Sequence, residues 1–128
     1  MENNRVLYIS YDGLTDPLGQ SQVLPYLMNL AKQNYEIHIL STEKKENFLK
    51  NKSIIKELCD NSNIKWDWIT YTKRPPILST LKDVRALTKK AVALHKELNF
   101  DIVHCRSYIS ALVGLKMKRR YSVKFLFD

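Results

Sequence analysis

Val6-Leu7-Tyr8-Ile9-Ser10-Tyr11, then Asp12-Gly13-Leu14-Thr15-Asp16-Pro17-Leu18-Gly19, then Val23, Leu27, Leu30 and Ala31 at helical spacing, is the stretch from which the fold can be read. An apolar β-branched run, glycine and proline punctuation, and then a 3.6-residue period are the sequence form of a buried strand feeding a crossover helix. In folds built from such units, ligands bind at the carboxyl ends of the strands, and Asp12 to Gln22 lies at that end. Gly13 and Gly19 can take backbone angles that other residues avoid, and Ser21 can cap the helix. Pro25 fits only near the first turn, where its missing N–H is harmless. Free N–H groups at such a helix start suit an anion such as phosphate. An ordinary βα connection without a ligand carries equal weight at this point.

The unit repeats downstream. Tyr35 to Ser41 reads as a second strand, and Lys44 to Asp60 as a helix with Phe48, Ile55, Leu58 and Cys59 inward and its lysines outward. Asn47, Asn51 and Ser53 weaken that helix. Ile64 to Tyr71 alternates, with Ile64, Trp66 and Trp68 on one face and Lys65 and Asp67 on the other, as expected of a half-exposed strand toward a sheet edge. Lys73-Arg74-Pro75-Pro76 predicts an extended linker. A helix follows from Thr80 to Leu98, with Thr80 and Asp83 as a capping box and Leu81, Val84, Leu87, Ala91, Leu94 and Leu98 as its stripe.

Asp101 to Cys105 is a short strand of the kind buried on both faces of a parallel sheet. Ile109 to Arg120 is a helix with Leu112, Val113 and Met117 inward, and Val123 to Asp128 is a fifth strand. Strands alternating with helices predict a doubly wound, Rossmann-like parallel sheet with right-handed crossovers and strand order 3-2-1-4-5. The switch point then lies between the first and fourth strands, which places the Asp12 to Gln22 loop beside Arg106-Ser107-Tyr108, with Asp128 next in line. A fifth strand this apolar normally continues into another loop and helix, so the 128 residues read as a single domain from a longer protein.

Composition narrows the partners. No apolar run approaches the roughly 18 to 20 residues needed to cross a bilayer, and the first five residues are too polar to open a secretory signal. Cys59 and Cys105 belong to no CxxC or Cys/His cluster, which argues against zinc and against a disulfide framework and makes a reduced, cytoplasmic setting the default. The net charge of +8 implies an anionic partner: nucleic acid, acidic lipid or a phosphorylated substrate. Lys116, Lys118, Arg119 and Arg120 complement a helix dipole. Together with Lys44, Lys45, Lys50, Lys52 and Lys56 they could instead form one patch facing the inner surface of a membrane.

Arg106 follows a buried strand and precedes a helix, so its fixed charge projects into the predicted crevice, where it could pair with a phosphate or carboxylate. Asp128, at the end of the fifth strand, could serve as a base or an electrostatic stabiliser. His104, inside a strand, reads as structural, and His38 and His95 more so. Asp12 and Asp16 could meet a sugar hydroxyl or a metal, although paired aspartates in a turn usually hydrogen-bond their own backbone.

Tyr11 to Leu27 resembles the N-terminal domain of GT-B glycosyltransferases, specifically the retaining family 4 group. Tyr35-Glu36-Ile37-His38-Ile39-Leu40-Ser41 is similar to that family's second strand. Asp101-Ile102-Val103-His104-Cys105-Arg106, followed by Ala111 and Gly114, is similar to its D-(I/V)-(I/V)-H-x-H segment. There are departures. Leu18 replaces the first of two adjacent glycines, Arg106 replaces the second histidine, and Asp128 stands where many relatives carry a histidine. The resemblance implies a two-domain enzyme that moves a sugar from a nucleotide-sugar to a glycan or lipid-linked acceptor, with retention and without an obligatory metal or other cofactor.

A C-terminal domain bearing an E-x(7)-E motif would hold most of the nucleotide, leaving these residues as the acceptor-side half. Gly19, Gln20 and Ser21 would approach the donor phosphates, Asp12, Arg106 and Ser107 the acceptor, and Asp128 would be the catalytic candidate. On this reading the enzyme serves surface polysaccharide or glycoconjugate synthesis, nucleic acid is not a partner, and Gly19→Val abolishes transfer while leaving the fold largely intact.

Three competitors are weaker. A nicotinamide-binding domain could use Glu43 as a ribose ligand, but the first loop lacks G-x-G-x-x-G and is too long. A receiver domain needs a carboxylate closing the third strand, where this chain has Thr70-Tyr71. A nucleic-acid module rests on charge alone.

Overall fold

A computed structural model of the chain describes residues 4–72 and 76–127. The elements follow in strict alternation: β1 (Arg5–Ser10), α1 (Leu24–Ala31), β2 (Glu36–Glu43), α2 (Lys45–Asn61), β3 (Lys65–Thr70), α3 (Pro76–Leu98), β4 (Ile102–Arg106), α4 (Ser107–Tyr121) and β5 (Lys124–Phe127). All strand pairs are parallel and the sheet order is β3-β2-β1-β4-β5, as the sequence predicts. The register sets Tyr8 beside Ile39 on one side and His104 on the other, and Ser10 beside Arg106 at the carboxyl end.

Alternation along β1 divides the core into two layers. Val6 and Tyr8 pack with Leu24, Leu27, Ile39, Ile55 and Cys59 under α1 and α2. Leu7 and Ile9 pack with Val84, Leu87, Val103, Val113 and Met117 under α3 and α4. The α2 lysines and the basic end of α4 therefore lie on opposite faces of the sheet, so the alternative reading that joins them in one membrane-facing patch fails.

Several local expectations are corrected by the same geometry. The helix expected to begin at Ser21 begins at Pro17, and Ser21 sits inside it without capping anything. Residues Gly19–Val23 form a π turn, in which the Leu24 N–H donates to the Gly19 carbonyl. Pro25, in the first turn of α1, is the cause: it brings no N–H and its ring crowds the carbonyl four residues back, so the turn before it widens. Pro76 is the first described residue of α3 and not part of an extended linker, as a proline in the first turn of a helix sacrifices no hydrogen bond. Lys73 to Pro75 lie outside the described residues.

Asp83 is buried and anchors other segments in place of a capping box, and Leu58, Leu81 and Leu112 are exposed, not inward. No described glycine has a positive φ. Left-handed geometry falls instead on Asn34, Asn63, Asn99 and Ser122, just past the ends of α1, α2, α3 and α4, where it turns the chain back toward the next strand.

His95, near the end of α3, is buried, and its Nδ1 accepts the Phe100 N–H at 3.1 Å. Burial lowers its pKa below the ordinary 6.5. The unfolded chain then takes up this proton before the folded one. The stability His95 contributes is complete above pH about 6.5 and is lost as pH falls through the folded-state value. Urea midpoints measured between neutral and mildly acidic pH should fall less steeply for His95→Gln, whose amide oxygen can still accept from Phe100, than for the parent chain. Equal slopes would remove His95 from the acid response.

Candidate active site

The carboxyl ends of β1, β2 and β4 meet at the switch point, and the loop after β1 is held there by two buried carboxylates. Glu43, the last residue of β2, accepts from the Leu14 N–H at 2.8 Å, the Thr15 N–H at 3.1 Å and the Thr15 hydroxyl at 2.6 Å. It also accepts from the Ser41 hydroxyl. Asp16 accepts from the Gly13 N–H at 3.1 Å and from Asn47 Nδ2 at 2.7 Å, with Lys44 Nζ 3.5 Å away. Gln20 and Asn51 both donate to the Thr15 carbonyl. Asn47 and Asn51, which weaken α2 as a helix, tie its first turns to this loop. Asp16 is thus a turn-former, and Glu43 is spent inside the loop and is not offered to a ribose.

Asp12 and Arg106 remain at the surface of this scaffold. Arg106 closes β4, with its Nη2 donating to Gln22 Oε1 at 3.2 Å and its Nε 3.7 Å from Asp12 Oδ2. The loop after β1, the π turn and the end of β4 therefore converge on one guanidinium, as expected from the strand order. A long, half-exposed ion pair of this kind holds at most about 1 kcal/mol, so an anionic ligand can replace Asp12 at the guanidinium with little loss.

Ser107 begins α4 with φ of 81°, the one left-handed non-glycine at a helix start among the described residues. Its Oγ is buried with no hydrogen-bond partner among the described residues. Backbone strain of this kind clusters at functional positions, and Ser107 directly follows Arg106. Of the residues expected at the donor loop, Gln20 and Ser21 are exposed, whereas Gly19 is buried against its own loop. A Cβ at Gly19 would stand 2.1 Å from the Gly13 carbonyl oxygen, so Gly19→Val cannot leave the fold intact as the sequence suggests. Asp128 lies outside the described residues.

A trough of about 560 Å³ runs from this point down the α1 flank of the sheet, lined by Tyr8, Gln22, Val23, Tyr26, His104, Arg106, Leu126 and Phe127. The His104 ring meets Tyr8 at 4.9 Å and Tyr26 at 6.1 Å, both edge-on. The sequence marks Arg106 as a site residue but reads His104 as structural and passes over Tyr8 and Tyr26. Gln22 and Tyr26, four apart on one helix face, were the available signal. A second cavity of about 480 Å³, between Arg5, Glu36, His38, Lys65 and Phe100, opens at the amino ends of the strands, opposite the switch point where α/β sheets bind ligands.

Titration chemistry points the same way. Burial pushes the Cys105 thiol up to about 12 and the Cys59 thiol up to about 11, so neither serves as a nucleophile near neutrality. Burial, reinforced by Asp83, raises the Tyr11 phenol above its ordinary value, and its hydroxyl donates to Asp83 Oδ2 at 2.9 Å. Asp83 also accepts the Thr72 N–H, tying β1, the chain after β3, and α3 together beneath the site. Among the described residues no group of three His, Cys, Asp or Glu side chains could hold a metal ion.

No family model matches the sequence, and no curated protein matches it significantly. Solved structures do match. The C-terminal domain of a hydrogenase from Pyrococcus furiosus aligns over 100% of this chain and 92% of its own, with TM-score 0.72 and 15% identity. A calicheamicin glycosyltransferase aligns over 99% of this chain and 32% of its own, with TM-score 0.67 and 12% identity. An Arabidopsis thaliana glycosyltransferase in complex with UDP-L-rhamnose aligns over 98% of this chain and 35% of its own, with TM-score 0.58 and 15% identity. The chain thus spans about a third of each glycosyltransferase, and identities this low show a shared fold: the Rossmann-like sheet found in one part of a GT-B enzyme.

Proposed function

We propose that this chain is the acceptor-side half of a glycosyltransferase that uses a nucleotide-sugar donor, with a second domain of a longer protein closing over the switch point. The observation that carries the reading is the guanidinium of Arg106, poised between Asp12 and Gln22 and next to Ser107, whose backbone is held in the left-handed region. An arginine fork at the end of a central strand suits a phosphate or carboxylate. The exposed rings of Tyr26 and Phe127 in the trough suit the less polar face of a glycan ring or the start of a lipid-linked acceptor. Gln20 and Ser21, on the exposed side of the π turn, would face the donor phosphates, with Gly19 shaping the turn. Asp128 is the candidate for charge stabilisation or proton transfer, and transfer would retain configuration without an obligatory metal. Glycan synthesis at the inner face of the cell membrane is the setting this chemistry fits.

The test has two arms. The 128-residue chain alone should fold and transfer no sugar, and measurable transfer by it would overturn the two-domain reading. Titration with nucleotide-sugars and with short glycan or lipid-phosphate acceptors, followed by amide chemical shifts, should perturb Arg106 to Tyr108 and the Gln20 to Gln22 turn. Arg106→Ala should abolish the response while leaving the melting temperature nearly unchanged, since the ion pair is weak. Shifts confined to the cavity at the amino ends of the strands would sink the assignment. The hydrogenase domain shows the same fold as a unit of this size outside a glycosyltransferase. A non-catalytic module for a phosphorylated ligand is therefore the second reading, and it predicts binding of nucleoside phosphates with no dependence on the sugar.

A further inference from the structure

The face of α3 and α4 turned away from the sheet combines exposed aliphatics with unopposed cations. Ile77, Leu78 and Leu81, in the first turns of α3, are 78%, 65% and 60% exposed, and Leu112 in α4 is 49% exposed. Both helices begin at the carboxyl end of the sheet, so this apolar tip stands at the same end as the candidate site. Behind the tip, a groove of about 700 Å³ between the two helices is lined by Lys82, Arg85 and Lys89 from α3 and by Lys116 and Arg120 from α4. No carboxylate lines it, and none of the five cations forms an ion pair among the described residues.

We infer that this face docks on an anionic phospholipid surface, with Ile77, Leu78 and Leu81 entering the headgroup boundary and the groove cations meeting lipid phosphates. Charge complementarity names the sign of the partner. The aliphatic tip selects lipid over nucleic acid, which is met by aromatic stacking and polar side chains and gives nothing for three exposed leucine-type residues. No described helix is long and apolar enough to cross a membrane, so the contact is interfacial. Docking this way would present the switch-point crevice close to the lipid surface. The inference is independent of the transferase reading, because vesicle binding requires no sugar.

Sedimentation with phosphatidylcholine vesicles containing one third phosphatidylglycerol tests it. The chain should co-sediment with these vesicles, not with pure phosphatidylcholine, and should be released by salt. Each basic residue near an anionic leaflet is worth about fivefold in binding, so Lys82→Gln/Arg85→Gln/Lys89→Gln should weaken it on the order of 100-fold. Lys45→Gln/Lys50→Gln/Lys56→Gln removes the same charge from α2, on the opposite face, and should weaken binding far less. Equal losses in the two triple variants would mean attraction by net charge alone and would overturn the proposal. Leu78→Ser/Leu81→Ser should also reduce binding with the fold intact by circular dichroism, and undiminished binding would rule out insertion. A single-stranded oligonucleotide that binds the same face more tightly than the vesicles would reassign the surface to nucleic acid.

Discussion

Glu43→Ala should cost this domain a large part of its stability. The carboxylate is buried and satisfies the amides of Leu14 and Thr15 together with the hydroxyls of Thr15 and Ser41. Leu14 and Thr15 are themselves fully buried, so water does not readily replace it. An orphaned buried group costs roughly 1–3 kcal/mol, and the two amides alone come to roughly 2–6 kcal/mol. That is a large share of the roughly 5–15 kcal/mol that holds a domain together. The urea midpoint should fall sharply with little change in slope. Glu43→Gln should recover only part of the loss, because its NH2 group would confront N–H donors. A Glu43→Ala midpoint within about 1 kcal/mol of the parent would show that the loop does not depend on this carboxylate.

Gly19→Val should act on stability and on ligand response together. Its Cβ would meet the Gly13 carbonyl oxygen at 2.1 Å, the Leu14 Cα at 2.7 Å and the Gly13 carbonyl carbon at 2.9 Å. All three are backbone atoms, so no side chain can swing aside. Overpacking of this kind costs about 1–3 kcal/mol or more. The loop that gives way carries Asp12 and leads directly to Gln22, so the Arg106 cluster loosens with it. A thermal melt combined with amide shifts for residues 12–22 measures both effects, and Gly19→Ala should show the same defect to a smaller degree. Loss of ligand response with an unchanged melt would instead make Gly19 a ligand contact, as the sequence first suggests.

The parts of the fold legible in sequence are those with a long periodic signal. Five apolar runs spaced by helical stripes lead to the observed parallel order and bring Arg106 beside the first loop. What escaped depends on contacts distant in sequence. The Tyr11 hydroxyl meets Asp83 across 72 positions, so Asp83 looks like a helix cap when read locally. Glu43 looks like a ribose ligand until Leu14 and Thr15 are seen folded over it. Leu81 and Leu112 fall on apolar stripes, yet helices lying on a sheet bury only a narrow strip, and these two lie outside it. Prolines misled twice, at Pro17 and Pro76, because a residue that ends helices also starts them well.

The π turn at Gly19–Val23 also uncouples the crevice from the scaffold. Each residue of an α-helix advances the chain about 100° around the axis, so adding one to a regular helix would rotate every later side chain out of the core. The widened turn absorbs that rotation: Val23, Leu24 and Leu27 are all buried, while Gln22 stays on the crevice side to receive Arg106. The exposed residues of the turn, Gln20, Ser21 and Gln22, can therefore vary in kind without shifting the packing of α1 on the sheet. In a lineage of proteins sharing this fold, the segment is where specificity could drift while the core stands still.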